Sequence, residues 1–345
     1  MALTNDNRKL TPKSGSNMRS LVLAVVALGW WQCATISIAP PAYAATQQAA
    51  PSATPASAGA PAAQAAATAP PLLPGQVGAN YDEAIRYATA AMQRKMYQMA
   101  ADNFRAAIKH KPDAPDAHLG LAIALQELNL TEDALAEYFE TLRLNPTYPD
   151  ARQSLGLLLM KKDSWDEAAG QFLQVLKYEP NDLSTRGNLG ICYEEKGQYD
   201  TAIEQFKYIV STAPDNVAGH YNLATAYEMK SDWDAALGEY KQVIRLMPQT
   251  SEPYLRLGLC LLNKRDYKSA EAFLRTSVKW DTSNYRAYIG LGRLYEVQKK
   301  DKDATEMYKK AIALNPKAPE CKLLVHNMMK HRAEQLGLPN IPGLQ

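Results

Sequence analysis

The sequence predicts an all-α solenoid of seven stacked helix pairs, closed by one further helix. Three observations carry this expectation. A 34-residue period runs without insertion from Tyr81 to Pro316. Each period divides into two stretches whose apolar residues recur three or four apart, as an amphipathic helix needs. Small residues recur at one fixed place in each stretch, where two antiparallel helices in close contact have to cross.

The chain reads in four segments. Residues 1–20 carry Arg8, Lys9, Lys13 and Arg19 against the single acid Asp6, and 21–39 is an uncharged apolar run. Ala42, Tyr43 and Ala44 then fit the small-x-small rule for a signal peptidase, with cleavage before Ala45. This is the order of a secretory signal. The other reading is an uncleaved anchor, since the 19-residue run of 21–39 is nearly long enough to tether the chain to a membrane. Export across a membrane, into a bacterial periplasm or cell envelope, is the expected location. Residues 45–78 are almost entirely Ala, Pro, Thr, Ser, Gln and Gly. With so little to bury they are expected to form a disordered linker.

The array occupies 79–316, with repeats starting at 81, 115, 149, 183, 217, 251 and 285, and slots are counted from these starts. Prolines fall at 112, 146, 180, 214, 248 and 316, with Thr282 in the skipped place. They end each second helix and turn the chain into the next unit. Ala100, Ala134, Ala168, Ala202, Ala236, Ala270 and Ala304 keep the same spacing. So do Phe104, Tyr138, Phe172, Phe206, Tyr240, Leu274 and Tyr308, and a row that is always Ala or Gly, including Gly156, Gly190 and Gly292. Residues 317–345 give a last helix, with Cys321, Leu324, Val325 and Met328 at helical spacing, and a tail after Gly337.

This small–aromatic–small–aromatic–proline pattern resembles the tetratricopeptide repeat family over roughly 81–316, about two-thirds of the chain. The resemblance implies a right-handed superhelix whose first helices line a concave groove. It also implies a non-catalytic scaffold or adaptor that holds a peptide or protein segment there. Other functions compatible with such an array are a docking subunit that presents substrate to a separate enzyme or assembly complex, and a cell-envelope polymer-binding protein.

Groove-facing slots should carry the identity of the ligand. The sixth slot reads Arg86, Gly120, Ser154, Asn188, Asn222, Arg256 and Gly290. An asparagine amide both donates and accepts, so Asn188 and Asn222, one above the other, can hold a peptide main chain. Arg256, Arg286 and Arg293 suit a carboxylate or an acidic segment. Tyr221 is a candidate groove ring, and Glu194 a candidate groove carboxylate. Asp82, Asp116 and Asp150, in the second slot, read as acids that a helix start favours.

Composition argues against other classes. Without the first 44 residues the chain carries 34 basic and 35 acidic groups, which is no footprint for nucleic acid. There is no phosphate loop, HExxH or GxSxG motif in the repeats, so no enzyme, cofactor or metal site is expected. His118 and His220 stand alone in the fourth slot and read as packing or surface histidines. Cys192 and Cys260 share a slot two repeats apart, too far for a disulfide, so buried free thiols are expected.

Overall fold

The computed structural model describes residues 75–335. The signal or anchor segment, linker residues 45–74 and the tail after Gln335 lie outside the described residues. The helices are α1 (Tyr81–Gln93), α2 (Tyr97–His110), α3 (Pro115–Glu127), α4 (Thr131–Leu144), α5 (Pro149–Lys161), α6 (Trp165–Tyr178), α7 (Leu183–Glu195) and α8 (Tyr199–Thr212). They continue with α9 (Val217–Met229), α10 (Trp233–Leu246), α11 (Ser251–Asn263), α12 (Tyr267–Trp280), α13 (Tyr285–Val297), α14 (Asp301–Leu314) and α15 (Pro319–Gln335). Among the described residues there is no strand.

Each odd-numbered helix from α1 to α13 pairs with the helix after it and then packs on the next pair. Neighbouring first helices also touch, as α3 does α5 and α7 does α9, while the second helices are more widely spread. That difference curves the stack with the first helices on the inner side.

The turn inside each pair is the same seven times. Its fifteenth slot holds a left-handed backbone: Lys95, Asn129, Asp163, Gly197, Ser231, Arg265 and Lys299. The next residue's N–H reaches back to the eleventh slot, as Gln198 does to the Tyr193 carbonyl at 2.8 Å. This closes the helix end and satisfies otherwise orphaned carbonyls. Only Gly197 adopts the conformation without a Cβ penalty.

The turn between pairs is tied down by the fourth slot. His118 Nε2 lies 3.0 Å from the Pro112 carbonyl and its Nδ1 2.7 Å from Glu137. Arg186 donates from Nη2 to the Pro180 carbonyl at 2.8 Å and from Nη1 to Gln205 at 3.1 Å. His220 repeats the first arrangement with Pro214 and Glu239, and the Tyr254 hydroxyl donates to the Pro248 carbonyl. The two histidines are therefore tethers between a loop carbonyl and a second helix. A further ladder joins successive pairs through Lys162–Glu132, Lys196–Asp166, Lys230–Asp200 and Lys264–Asp234. Being exposed, each such pair contributes little by itself.

The core is a series of apolar clusters along the stack. Phe172, Phe206 and Tyr240 are fully buried, and so are Cys192, Cys260 and Cys321, which are free thiols. Burial pushes the Cys192 thiol up to about 12, which leaves it unreactive. At the C-terminal end, Cys321, Leu324 and Met328 cover the last pair, packing with Tyr308 and Ala311. At the other end, residues 75–78 run against α2. The Gly78 N–H donates to Asn103 Oδ1 at 3.0 Å, and Asn103 Nδ2 donates to the Gln76 carbonyl at 2.8 Å. The last residues of the Ala/Pro-rich stretch are thus held by a fully buried amide.

Candidate functional site

The inner face is built around a contact seen at both ends of the array. The aromatic of slot 24 lies between slot 12 of its own pair and slot 6 of the next. A Cβ added at Gly120 would lie 2.3 Å from the Phe104 ring, and one at Gly290 would lie 2.8 Å from Leu274, which fixes the second half of that contact. Hydrogen bonds fix the first half. The Tyr138 hydroxyl donates to Gln126 at 3.0 Å, Tyr240 to Glu228 at 2.7 Å and Tyr308 to Glu296 at 2.7 Å.

The residue types follow from the ring. Where slot 24 is Tyr, slot 12 is Gln126, Glu228 or Glu296, which accept from its hydroxyl. Opposite Phe104 and Phe172, slot 12 is Met92 and Met160, and opposite Leu274 it is Leu262. The fourth pair departs from this rule. Its Phe206 has no hydroxyl, yet slot 12 is Glu194.

Arg256, Tyr221 and Glu194 gather in one region of this face. Arg256 is 8% exposed. Its Nε donates to Glu252 at 3.0 Å and its Nη1 stands 3.5 Å from Glu228. Its guanidinium is taken up by the protein's own acids rather than turned to an anionic ligand. Tyr221 is buried and packs edge-to-face on Tyr240, with ring centroids 5.9 Å apart. It belongs to the core cluster with Tyr240 and Leu257, not to the open groove. Glu194 is half-buried. Burial, reinforced by the like charges of Glu195 and Glu228 and opposed by Arg256, pushes its carboxyl up to about 8.

Asn188 and Asn222 occupy slot 6 of consecutive pairs, half-buried on the inner face. Among the described residues neither amide side chain makes a hydrogen bond. The other two arginines lie apart, on α13. Arg286 Nε donates to the Tyr285 hydroxyl at 3.2 Å and stands 3.7 Å from Glu320 on α15. Arg293 is exposed. Of the second-slot acids, Asp116 accepts from the Tyr148 hydroxyl at 2.6 Å. The N-terminal N–H groups of helices are capped one residue before the repeat start, by Asn80, Asp182, Asn216 and Asn284.

Sequence reasoning missed Glu228 and Glu252 as the partners of Arg256. The signal that finds Glu228 is the pairing of tyrosine in slot 24 with a carboxylate twelve residues earlier. Among the described residues no group of three or more His, Cys, Asp or Glu is placed to hold a metal ion. No described helix is long and apolar enough to cross a membrane.

Fold and inner face together define an α-solenoid scaffold of stacked helix pairs. Two family models, each described as tetratricopeptide repeat, match residues 88–149 and 154–218, and 193–257 and 261–327. The chain belongs to the tetratricopeptide repeat family. Among solved structures it is similar to the C-terminal part of a repeat-containing protein of Cytophaga hutchinsonii, at 19% identity and a TM-score of 0.58, covering 69% of this chain and 97% of that one. A tetratricopeptide repeat protein from Parabacteroides merdae gives 17% identity and 0.58, covering 72% and 98%. The pilF protein of Pseudomonas aeruginosa gives 18% and 0.50, covering 63% and 98%. At these identities the likeness is one of fold. No curated protein matches the chain. Proteins of this family are in general non-catalytic scaffolds that bind protein or peptide partners.

Proposed function

We propose that this chain is a non-catalytic adaptor that holds an extended protein segment along its inner face, on the far side of a membrane or tethered to one through 21–39. The observation that supports it most is the pair Asn188 and Asn222. They are two half-buried amides in register, on the inner face, without a hydrogen-bond partner among the described residues. Such amides are costly to bury idle, and each can take one carbonyl and one N–H of a passing main chain. Main-chain contacts position a segment, while neighbouring side chains select it.

The test is crosslinked co-purification with the full chain, comparing the native protein with Asn188→Ala/Asn222→Ala. Loss of specific protein partners in the double variant is the expected result. Retention of every partner sinks the groove reading. Arg256 is left intact in this variant, because removing it strands two half-buried carboxylates and confuses binding with stability. Fractionation with and without a carbonate wash separates an exported soluble protein from a tethered one.

A further inference from the structure

Glu194 and Glu228 occupy the same slot in consecutive repeats and have different surroundings. Glu228 accepts from the Tyr240 hydroxyl at 2.7 Å and faces the Arg256 guanidinium at 3.5 Å. One repeat earlier, Phe206 stands in place of that tyrosine and Asn222 in place of that arginine. Glu194 therefore has the position of Glu228 without either of its partners. Among the described residues no hydrogen bond or ion pair reaches its carboxylate. Of the charged groups acting on it, Glu195 and Glu228 are acids, and the single base, Arg256, is already shared between Glu228 and Glu252.

A half-buried carboxylate in the slot paired with a phenylalanine is a poor choice for stability alone. Met160 over Phe172, in the preceding repeat, is the apolar solution to the same packing problem. What Glu194 lacks is the guanidinium that the next repeat supplies internally. We infer that Glu194 receives a cationic side chain, arginine or lysine, from a protein segment lying across Asn188 and Asn222. The inference rests on the groove reading above and adds the sign of the side chain selected there. Charge complementarity points the same way: two acids, Glu195 and Glu228, act on Glu194, and the one base nearby, Arg256, is paired with Glu228 and Glu252. Burial and the neighbouring acids raise the Glu194 carboxyl, so an arriving cation displaces a proton and takes its place.

The probe is a positional-scanning array of dodecapeptides incubated with the full chain. The best binder is remade with citrulline, the neutral isostere of arginine, at its preferred basic position (or norleucine, if lysine is preferred). Both peptides are then titrated by fluorescence anisotropy against the native protein and Glu194→Gln. The expected result is enrichment of a basic residue at one position. The native protein should lose on the order of tenfold in affinity for the neutral peptide, as for a charge-assisted hydrogen bond. In Glu194→Gln that ratio should fall to near one, a coupling that single variants cannot mimic. Selected peptides without basic enrichment, or a ratio unchanged in Glu194→Gln, overturn the inference. In that case, binding that still falls in Asn188→Ala/Asn222→Ala leaves the groove reading standing. Absence of any binding peptide, or binding indifferent to the double variant, overturns both. Thermal melting confirms that Glu194→Gln is folded.

Discussion

The Tyr240 hydroxyl donates to Glu228 at 2.7 Å across one helix pair, and Phe206 and Glu194 hold the same two places one pair earlier. Tyr240 is fully buried, and among the described residues its oxygen is satisfied through this bond alone. Tyr240→Phe deletes the donor and leaves Glu228, 14% exposed at its side chain, with Arg256 alone. The expected loss is about 1–2 kcal/mol, typical of a buried bond to a charged group. The reverse change, Phe206→Tyr, gives Glu194 the donor it lacks. Its carboxyl should move down toward the ordinary range, readable in a carbon-detected titration of the glutamate side chains. No movement would mean that the two slots do not meet in the fourth pair.

Glu194 also sets a pH dependence. Its carboxyl is pushed from an ordinary 4.5 up to about 8 in the folded chain. Between those values the folded state holds a proton that the unfolded state has released. Stability from this group therefore falls as pH rises through that window and levels off above it. Glu194→Gln removes the penalty. Its melting temperature should equal that of the native protein near pH 4.5 and exceed it increasingly up to about pH 8. A difference that is constant with pH would contradict the raised carboxyl.

Glycines of the repeats divide by what a Cβ would meet. At Gly170 and Gly238, on exposed faces of α6 and α10, nothing lies within 4 Å. Alanine there should stabilise by about 0.5–1 kcal/mol each, through lower chain entropy in the unfolded state and better helix propensity. At Gly190 a Cβ would lie 2.4 Å from the Phe206 ring, which is fully buried and has nowhere to retreat. Gly190→Ala should cost about 1–3 kcal/mol by overpacking. Urea denaturation of the three variants compares the two signs directly.

How much of this is legible in the sequence depends on how far apart the meeting residues stand. The period located every pair because each row is a fixed step along the chain. The helices α1, α3 and α5 begin at Tyr81, Pro115 and Pro149, where the repeat starts fall. The inner face was less legible. Tyr240 and Glu228 are twelve residues apart across a turn, so neither helical spacing nor adjacency brings them together in a sequence. His220 meets Pro214 and Glu239 across two breaks, and its isolation in the sequence concealed a two-ended tether. Arg86 and Arg256 share a slot but not a setting. Arg86 is exposed, with no preceding pair among the described residues to cover it, whereas Arg256 is buried against α9 through Glu228. Slot identity predicted the direction of a side chain but not the charges it would find there.

The N-terminal edge of the array offers a separate measurement. Asn103 is fully buried and makes three hydrogen bonds: it accepts from the Gly78 N–H and donates to the carbonyls of Gln76 and Met99. Two of the three fasten residues that precede the first helix. Gly78 cannot be replaced to test this, since a Cβ there would fall 2.2 Å from the Ala84 backbone nitrogen. Asn103→Ala is the cleaner variant. It leaves α2 its own backbone ladder and removes the anchor together with the side-chain bond to the Met99 carbonyl. The cost should be about 1–3 kcal/mol if the freed Gly78 N–H stays buried, and less if the segment 75–78 lifts away and is solvated. The two cases separate by hydrogen exchange. Lifting predicts fast exchange at 76–78 with protection in α3 to α14 unchanged, because neighbouring pairs of a repeat array are coupled only to the next. A loss of protection spreading through α3 would show instead that Asn103 holds the first pair as a unit.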